Sequence, residues 1–187
     1  MIRFEAGLSV LALAACAGLA SGPARAQSPD TERGRELYEQ GQKAMAARDY
    51  ATACPRFEES YKLGGVAGSL LNWADCEETR GRLATALELW KQGEAKVVRE
   101  PERLDFVTKR IAALTPRVPH VEVTAADPRA EGLRVEIDGA VIDITRGPVA
   151  VDPGKHTLRA TANGAPAEEQ AFELGPAETK KLTLQIR

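Results

Sequence analysis

Over residues 115–119 the spacing of apolar side chains changes period, and this change limits the possible folds more than any other feature of the chain. Before it, apolar residues recur three and four apart. Leu37, Gly41, Ala44 and Met45 mark a first helix, and Ala53, Phe57, Ser60 and Tyr61 a second. Leu70, Leu71, Trp73 and Ala74 begin a third, and Ala86, Leu89, Trp90 and Gly93 mark a fourth. Leu104, Val107, Ile111 and Leu114 mark a fifth, opened by Pro101 at a first-turn position. After the change, apolar and polar residues alternate, as in Val121-Glu122-Val123 and Leu133-Arg134-Val135-Glu136-Ile137. A 3.6 period and a 2 period bury different faces. The chain is therefore read as α plus β in two domains, helical over 27–116 and β over 118–187.

Within the helical part, a shift of 33 residues places Leu37 on Leu70, Gly41 on Ala74, Ala53 on Ala86, Phe57 on Trp90 and Ser60 on Gly93. Arg48-Asp49-Tyr50 falls on Gly81-Arg82-Leu83, the turn inside each helix pair. Small residues recur where helices must approach closely, and aromatics where a gap must be filled. The pattern resembles the tetratricopeptide repeat, over two repeats plus a capping helix. Leu37 and Leu70 stand where that family places tryptophan. The resemblance implies a concave groove lined by the first helix of each pair, with Arg35, Tyr38 and Gln42 from repeat one and Leu71, Asn72, Asp75 and Glu78 from repeat two. Pro55 falls inside the second helix, where its ring opposes the carbonyl of Ala51. A late helix start or a kink is expected there, and Gly64-Gly65 supplies the stop.

In the β part, about seven short strands are separated by turn chemistry: Asp138-Gly139, Asp152-Pro153-Gly154 and Asn163-Gly164. That number in about 70 residues implies a small β-sandwich. GLRVEIDGAVI followed by PVAVDPGKHTLRATANG resembles the PEGA domain, an Ig-like module of bacterial and archaeal surface proteins. Helical repeats followed by such a module also resemble a group of exported proteins of myxobacterial type.

The stretch WADCEETRGRLATALELW, residues 73–90, combines two tryptophans, a cysteine and four acids. Trp73 and Trp90 fall on packing positions of repeat two. Glu77, Glu78 and Glu88 are read as solvated helix faces. Cys76 has no base within a Cys/His signature, because His120 and His156 both lie in the other half. Cys54 and Cys76, 22 apart with no CxxC pair, do not make a zinc site. His156 is expected at the top of a turn, His120 on a strand face and Phe172 in the core. The glycines of 64–68 lack the lysine and Ser/Thr of a phosphate loop. No catalytic residue, metal or cofactor is expected.

Residues 1–26 read as an export signal. Arg3 precedes an apolar run over residues 8–20, shorter than a membrane span requires. Ala24-Arg25-Ala26 is a small-x-small site, which places cleavage between Ala26 and Gln27. Leu13-Ala14-Ala15-Cys16 offers the alternative, a lipobox with Cys16 lipidated and a membrane anchor. Either route leads out of the cytoplasm to the periplasm or cell envelope. Cys54 and Cys76 then form a disulfide, with two buried free thiols as the alternative.

Net charge is −2 and neither half is basic, which excludes the counterion-displacing field that nucleic-acid binding needs. The expected function is a non-catalytic envelope scaffold that binds a protein or peptide. The alternative is a cell-wall or polysaccharide binder, which normally displays exposed aromatics; the β half has Phe172 alone.

Overall fold

The computed structural model describes residues 29–186. The segment read as an export signal, with Cys16, Ala26 and Gln27, lies outside the described residues. Five helices come first: α1 (Pro29–Ala46), α2 (Tyr50–Gly64), α3 (Ala67–Thr79), α4 (Leu83–Lys96) and α5 (Pro101–Leu114). Seven strands follow among the described residues: β1 (His120–Ala125), β2 (Arg134–Ile137), β3 (Ala140–Ile142), β4 (Val149–Ala150), β5 (Gly154–Thr161), β6 (Glu168–Leu174) and β7 (Thr179–Leu184). The fold is α plus β in two parts.

The 33-residue shift is visible in the backbone. Asp49 N–H donates to Ala44 O at 2.9 Å, and Arg82 N–H donates to Glu77 O at 2.9 Å. Arg48 N–H donates to Met45 O, and Gly81 N–H to Glu78 O. Arg48 and Gly81 both take a left-handed φ, 59° and 90°. Glycine adopts that conformation without strain; Arg48 does not. Ala53, Phe57, Ala86 and Trp90 are all buried.

Helix α2 starts at Tyr50, not late. Asp49 caps it by accepting from Thr52 N–H at 3.1 Å. The helix runs through Pro55 to Gly64. Pro55 and Ala51 are both exposed, so water solvates the carbonyl that the proline leaves without a donor. Gly65 then ends the helix at φ 61°, its N–H donating to Tyr61 O.

A disulfide joins Cys54 on α2 to Cys76 on α3, with both residues buried beside Phe57. It ties the second helix of pair one to the first helix of pair two.

The β part has two sheets, β4-β1-β7 and β3-β2-β5-β6. The first strand β1 pairs parallel with the last, β7, in the register His120 to Thr179. Asp138 and Gly139 both have positive φ, 51° and 81°, as a two-residue hairpin turn of the primed type requires. Val121, Val123 and Leu184 from one sheet meet Val135, Ile137, Leu158, Ala160, Phe172 and Leu174 from the other in a single core.

The two parts have separate cores, and Val118 belongs to the helical one, with Val97, Val107 and Leu114. The junction carries further contacts. Ala177 N–H donates to Arg117 O at 2.8 Å, and Val151 N–H donates to Pro119 O at 3.1 Å.

Candidate functional site

A cleft of about 320 Å³ opens where α1, the end of α2 and the start of α3 meet. Small residues create it. Gly34, Gly64 and Gly68 bring no side chain, and Ser60 and Ser69 lie buried at its floor. Ser60 Oγ donates its single proton to Gly34 O at 2.7 Å, so Ser69 Oγ must donate to Ser60 Oγ at 2.8 Å. The floor is thus satisfied internally and presents mainly carbon. Val66, at the edge, is 57% exposed, and Leu63, three residues earlier in the chain, is exposed too. Val66 also stands at the N-cap of α3, where it supplies no side-chain hydrogen bond.

Arg35 and Tyr38 of α1 line one wall. The Tyr38 ring packs 5.7 Å from that of Phe57. Its hydroxyl accepts from Gln42 Nε2 at 3.1 Å and from Asn72 Nδ2 at 3.2 Å. Asn72 is itself aimed by a bond to Gly68 O at 2.8 Å. Both lone pairs of the phenol are used, and its proton remains to be donated. Arg35 is exposed and forms no ion pair among the described residues. Four of the seven groove residues expected from the sequence (Arg35, Tyr38, Gln42 and Asn72) therefore come together at or beside this cleft.

The other three lie elsewhere. Leu71 is partly buried against the helical core, its Cδ2 set against Gly93 of α4, where a Cβ would collide with it. Asp75 and Glu78 meet Arg110 of α5, at 3.2 and 2.8 Å. Arg117 also reaches Glu78 at 3.5 Å. The Arg110 guanidinium lies 5.6 Å from the Trp90 ring centroid, and the Trp90 indole N–H donates to Glu78 Oε2 at 3.0 Å. Burial raises the pKa of the Asp75 carboxyl above its ordinary value. Arg110 opposes that rise and Glu78 adds to it.

Two sequence readings are corrected here. Glu77 and Glu78 are not solvated helix faces. Glu77 is 3% exposed and accepts from Trp73 Nε1 at 3.0 Å and from Arg80 at 2.6 and 3.0 Å. Glu78 is nearly as enclosed. Only Glu88 of the three faces solvent, beside Gln92. Helical periodicity marks apolar faces, and an acid that is buried because tryptophan N–H and arginine donors surround it carries no periodic signal. The Glu77/Arg80 spacing of three was the available sign. His156 does not top a turn. It lies in β5, stacked near Phe172, with Nε2 donating to Asp152 O at 2.7 Å and Nδ1 hydrogen-bonded to Asp138 Oδ2 at 2.6 Å. That pair holds the Asp138 carboxyl low: burial raises it, but the bonds from His156 and from Thr157 N–H outweigh burial.

Among the described residues, no three His, Cys, Asp or Glu side chains converge as metal ligands. No family model matches the chain, and no curated protein matches it. The arrangement offers an apolar slot with one phenolic donor and one guanidinium at its side.

Proposed function

We propose that this chain is a non-catalytic interaction protein of the cell envelope that holds an extended peptide segment of a partner in the cleft between α1 and α3. The supporting observation is the Tyr38 hydroxyl. Two amides fix it in place, and its own proton is left to donate to a backbone carbonyl laid along the slot. The carbon-lined floor suits a small apolar side chain, and Arg35, which has no ion pair among the described residues, favours an acidic residue next to it. The helix pairs are tetratricopeptide-like in this reading, a view supported by the repeated turn hydrogen bonds. The β part is read as PEGA-like. Export is supported by the Cys54–Cys76 disulfide, which is compatible with an oxidising compartment.

The polysaccharide alternative draws less support. Phe172, the one aromatic of the β half, is 7% exposed and covered by His156, so it offers no stacking face.

The test uses a displayed library of random heptapeptides selected on the full chain. Enriched peptides are then titrated by calorimetry against the wild type and against R35E/Y38A. A loss of about tenfold or more in affinity, in a variant that keeps its melting temperature, is the expected result. Equal affinity, or no enriched peptide, removes the cleft as the binding site.

A further inference from the structure

The two helix pairs differ at one functional position of their inner turns. In pair one, Asp49 precedes α2 and its side chain caps the amide of Thr52. The shift of 33 carries Asp49 to Arg82 and Thr52 to Thr85. Arg82 has no acceptor oxygen, so α4 cannot be capped locally and has no cap from its own N-cap residue. The cap arrives from the β half. Asp152 Oδ1 accepts from Thr85 N–H at 2.9 Å, and Oδ2 accepts from Thr85 Oγ1 at 2.7 Å and from Arg82 Nε at 2.9 Å.

Asp152 is held from behind. Its carbonyl receives His156 Nε2, and its neighbour Val151 donates to Pro119 O. The side chain is 14% exposed. On either side the contact stops. One crevice of about 370 Å³ runs between Thr85, Glu88 and Lys91 of α4 and residues 150–152. Another, of about 470 Å³, lies between Arg82 and Asp138, Ala140 and Ile142. The two apolar cores do not merge across it. Among the described residues, the side-chain hydrogen bonds that join the halves away from the junction at 117–119 all go to the Asp152 carboxylate, with a crevice on either side.

We propose that Asp152 is a latch: by capping α4 from the β half it holds both halves as one rigid body, and its release lets the β half swing about the junction at 117–119. A small polar contact of this kind leaves relative motion as the default once it is broken. The charged groups around the latch are Arg82 and, behind it, Glu77 at 3.8 Å from Arg82 and Arg80; Glu88 and Lys91 border the α4 side, and His156 with Asp138 the β5 side. Of these, Arg82 alone bonds the carboxylate directly, so the latch is a single ion pair reinforced by a threonine.

The inference does not depend on what the cleft binds. Its test separates capping from latching with two variants. D152A removes both. D152A/R82D removes the latch but returns to α4 the aspartate that pair one uses at the same place, so helix and melting temperature are restored. Spin labels on ketone-bearing residues replacing Lys43 and Arg159, both exposed and on opposite halves, leave the disulfide untouched. The wild type should give one narrow distance distribution. The double variant should keep wild-type protection of the Thr85 amide against hydrogen exchange, while the distribution broadens by about twofold or more. A distribution as narrow as wild type in D152A/R82D overturns the proposal. If α4 loses its protection in the double variant, D152N supplies the reading: a side chain that still caps but no longer pairs with Arg82 must widen the distribution, and an unchanged width rejects the latch.

Discussion

The Thr85 amide donates to the Asp152 carboxylate, so a residue 67 positions further along the chain ends the orphaned first turn of α4. The same turn of α2 is capped by a residue three positions away. Burial raises the Asp152 carboxyl, but the bonds from Thr85 and Arg82 outweigh it, and its pKa lies below the ordinary value. A carboxylate depressed in the folded state binds fewer protons there than when unfolded. Its contribution is fully present above the unfolded pKa, about 4, and disappears as pH falls through the folded one. Urea unfolding between pH 7 and pH 2.5 should show wild-type stability declining in that acid range. D152N should show a shallower decline. Parallel curves for the two proteins contradict the assignment.

The disulfide closes a loop between residues 54 and 76 that holds α2 against α3. Constraining such a loop in the unfolded chain is worth roughly 3 kcal/mol. Denatured, unreduced protein beginning at Gln27 should titrate with no free thiol. C54A/C76A should unfold at a urea concentration lower by an amount matching that loss. Two free thiols in the unreduced protein refute the bridge.

Gly41 and Gly93 both let helices approach, yet they should respond differently to alanine. A Cβ at Gly41 would stand 2.8 Å from two ring atoms of Phe57, which is fully buried and packed by Tyr38 and both cysteines. The ring cannot retreat. G41A should lose about 1–2 kcal/mol even after the gain in helix propensity. A Cβ at Gly93 would meet the far end of Leu71, a partly exposed and flexible side chain. G93A should be neutral or gain up to about 1 kcal/mol. Thermal melts of the two variants in the reverse order would show that the packing account is wrong.

Most of the architecture was legible because burial imposes periods. The five helices, the break near 115–119 and the strands around Val121, Val135, Leu158 and Phe172 follow directly from apolar spacing. Turn chemistry at Asp138-Gly139 and Gly64-Gly65 supplied the punctuation. Polar burial was not legible. Glu77 looks like any surface glutamate until Trp73 and Arg80 fold over it. Asp152 looks like a turn former, and its work on α4 depends on where the β half comes to rest. Arg35 and Tyr38 of the expected groove line one cleft. The groove reading had no sign that α5 delivers Arg110 to Asp75 and Glu78 and ties them in ion pairs.

Glu77 offers the sharpest energetic check. Its two carboxylate oxygens receive three N–H donors, one from Trp73 and two from Arg80, at a site 3% exposed. Replacing it by glutamine keeps the volume. The change removes the charge, and in either orientation the new amide N–H₂, itself a donor, faces an Arg80 N–H donor. Arg80 is exposed and can turn to water, so the cost falls short of that of a pair buried on both sides and is about 1–2 kcal/mol. E77Q should therefore lower stability by about that much. E88Q, at an exposed site beside Gln92, should stay within about 0.5 kcal/mol of wild type. Removing Arg80 as well relieves the orphaned cation, so E77Q/R80M should lose less than the sum of the two single changes. Urea midpoints of the four variants decide it. If E77Q matches E88Q, or if the double variant is simply additive, Glu77 is a bystander and α3 is held by apolar packing alone.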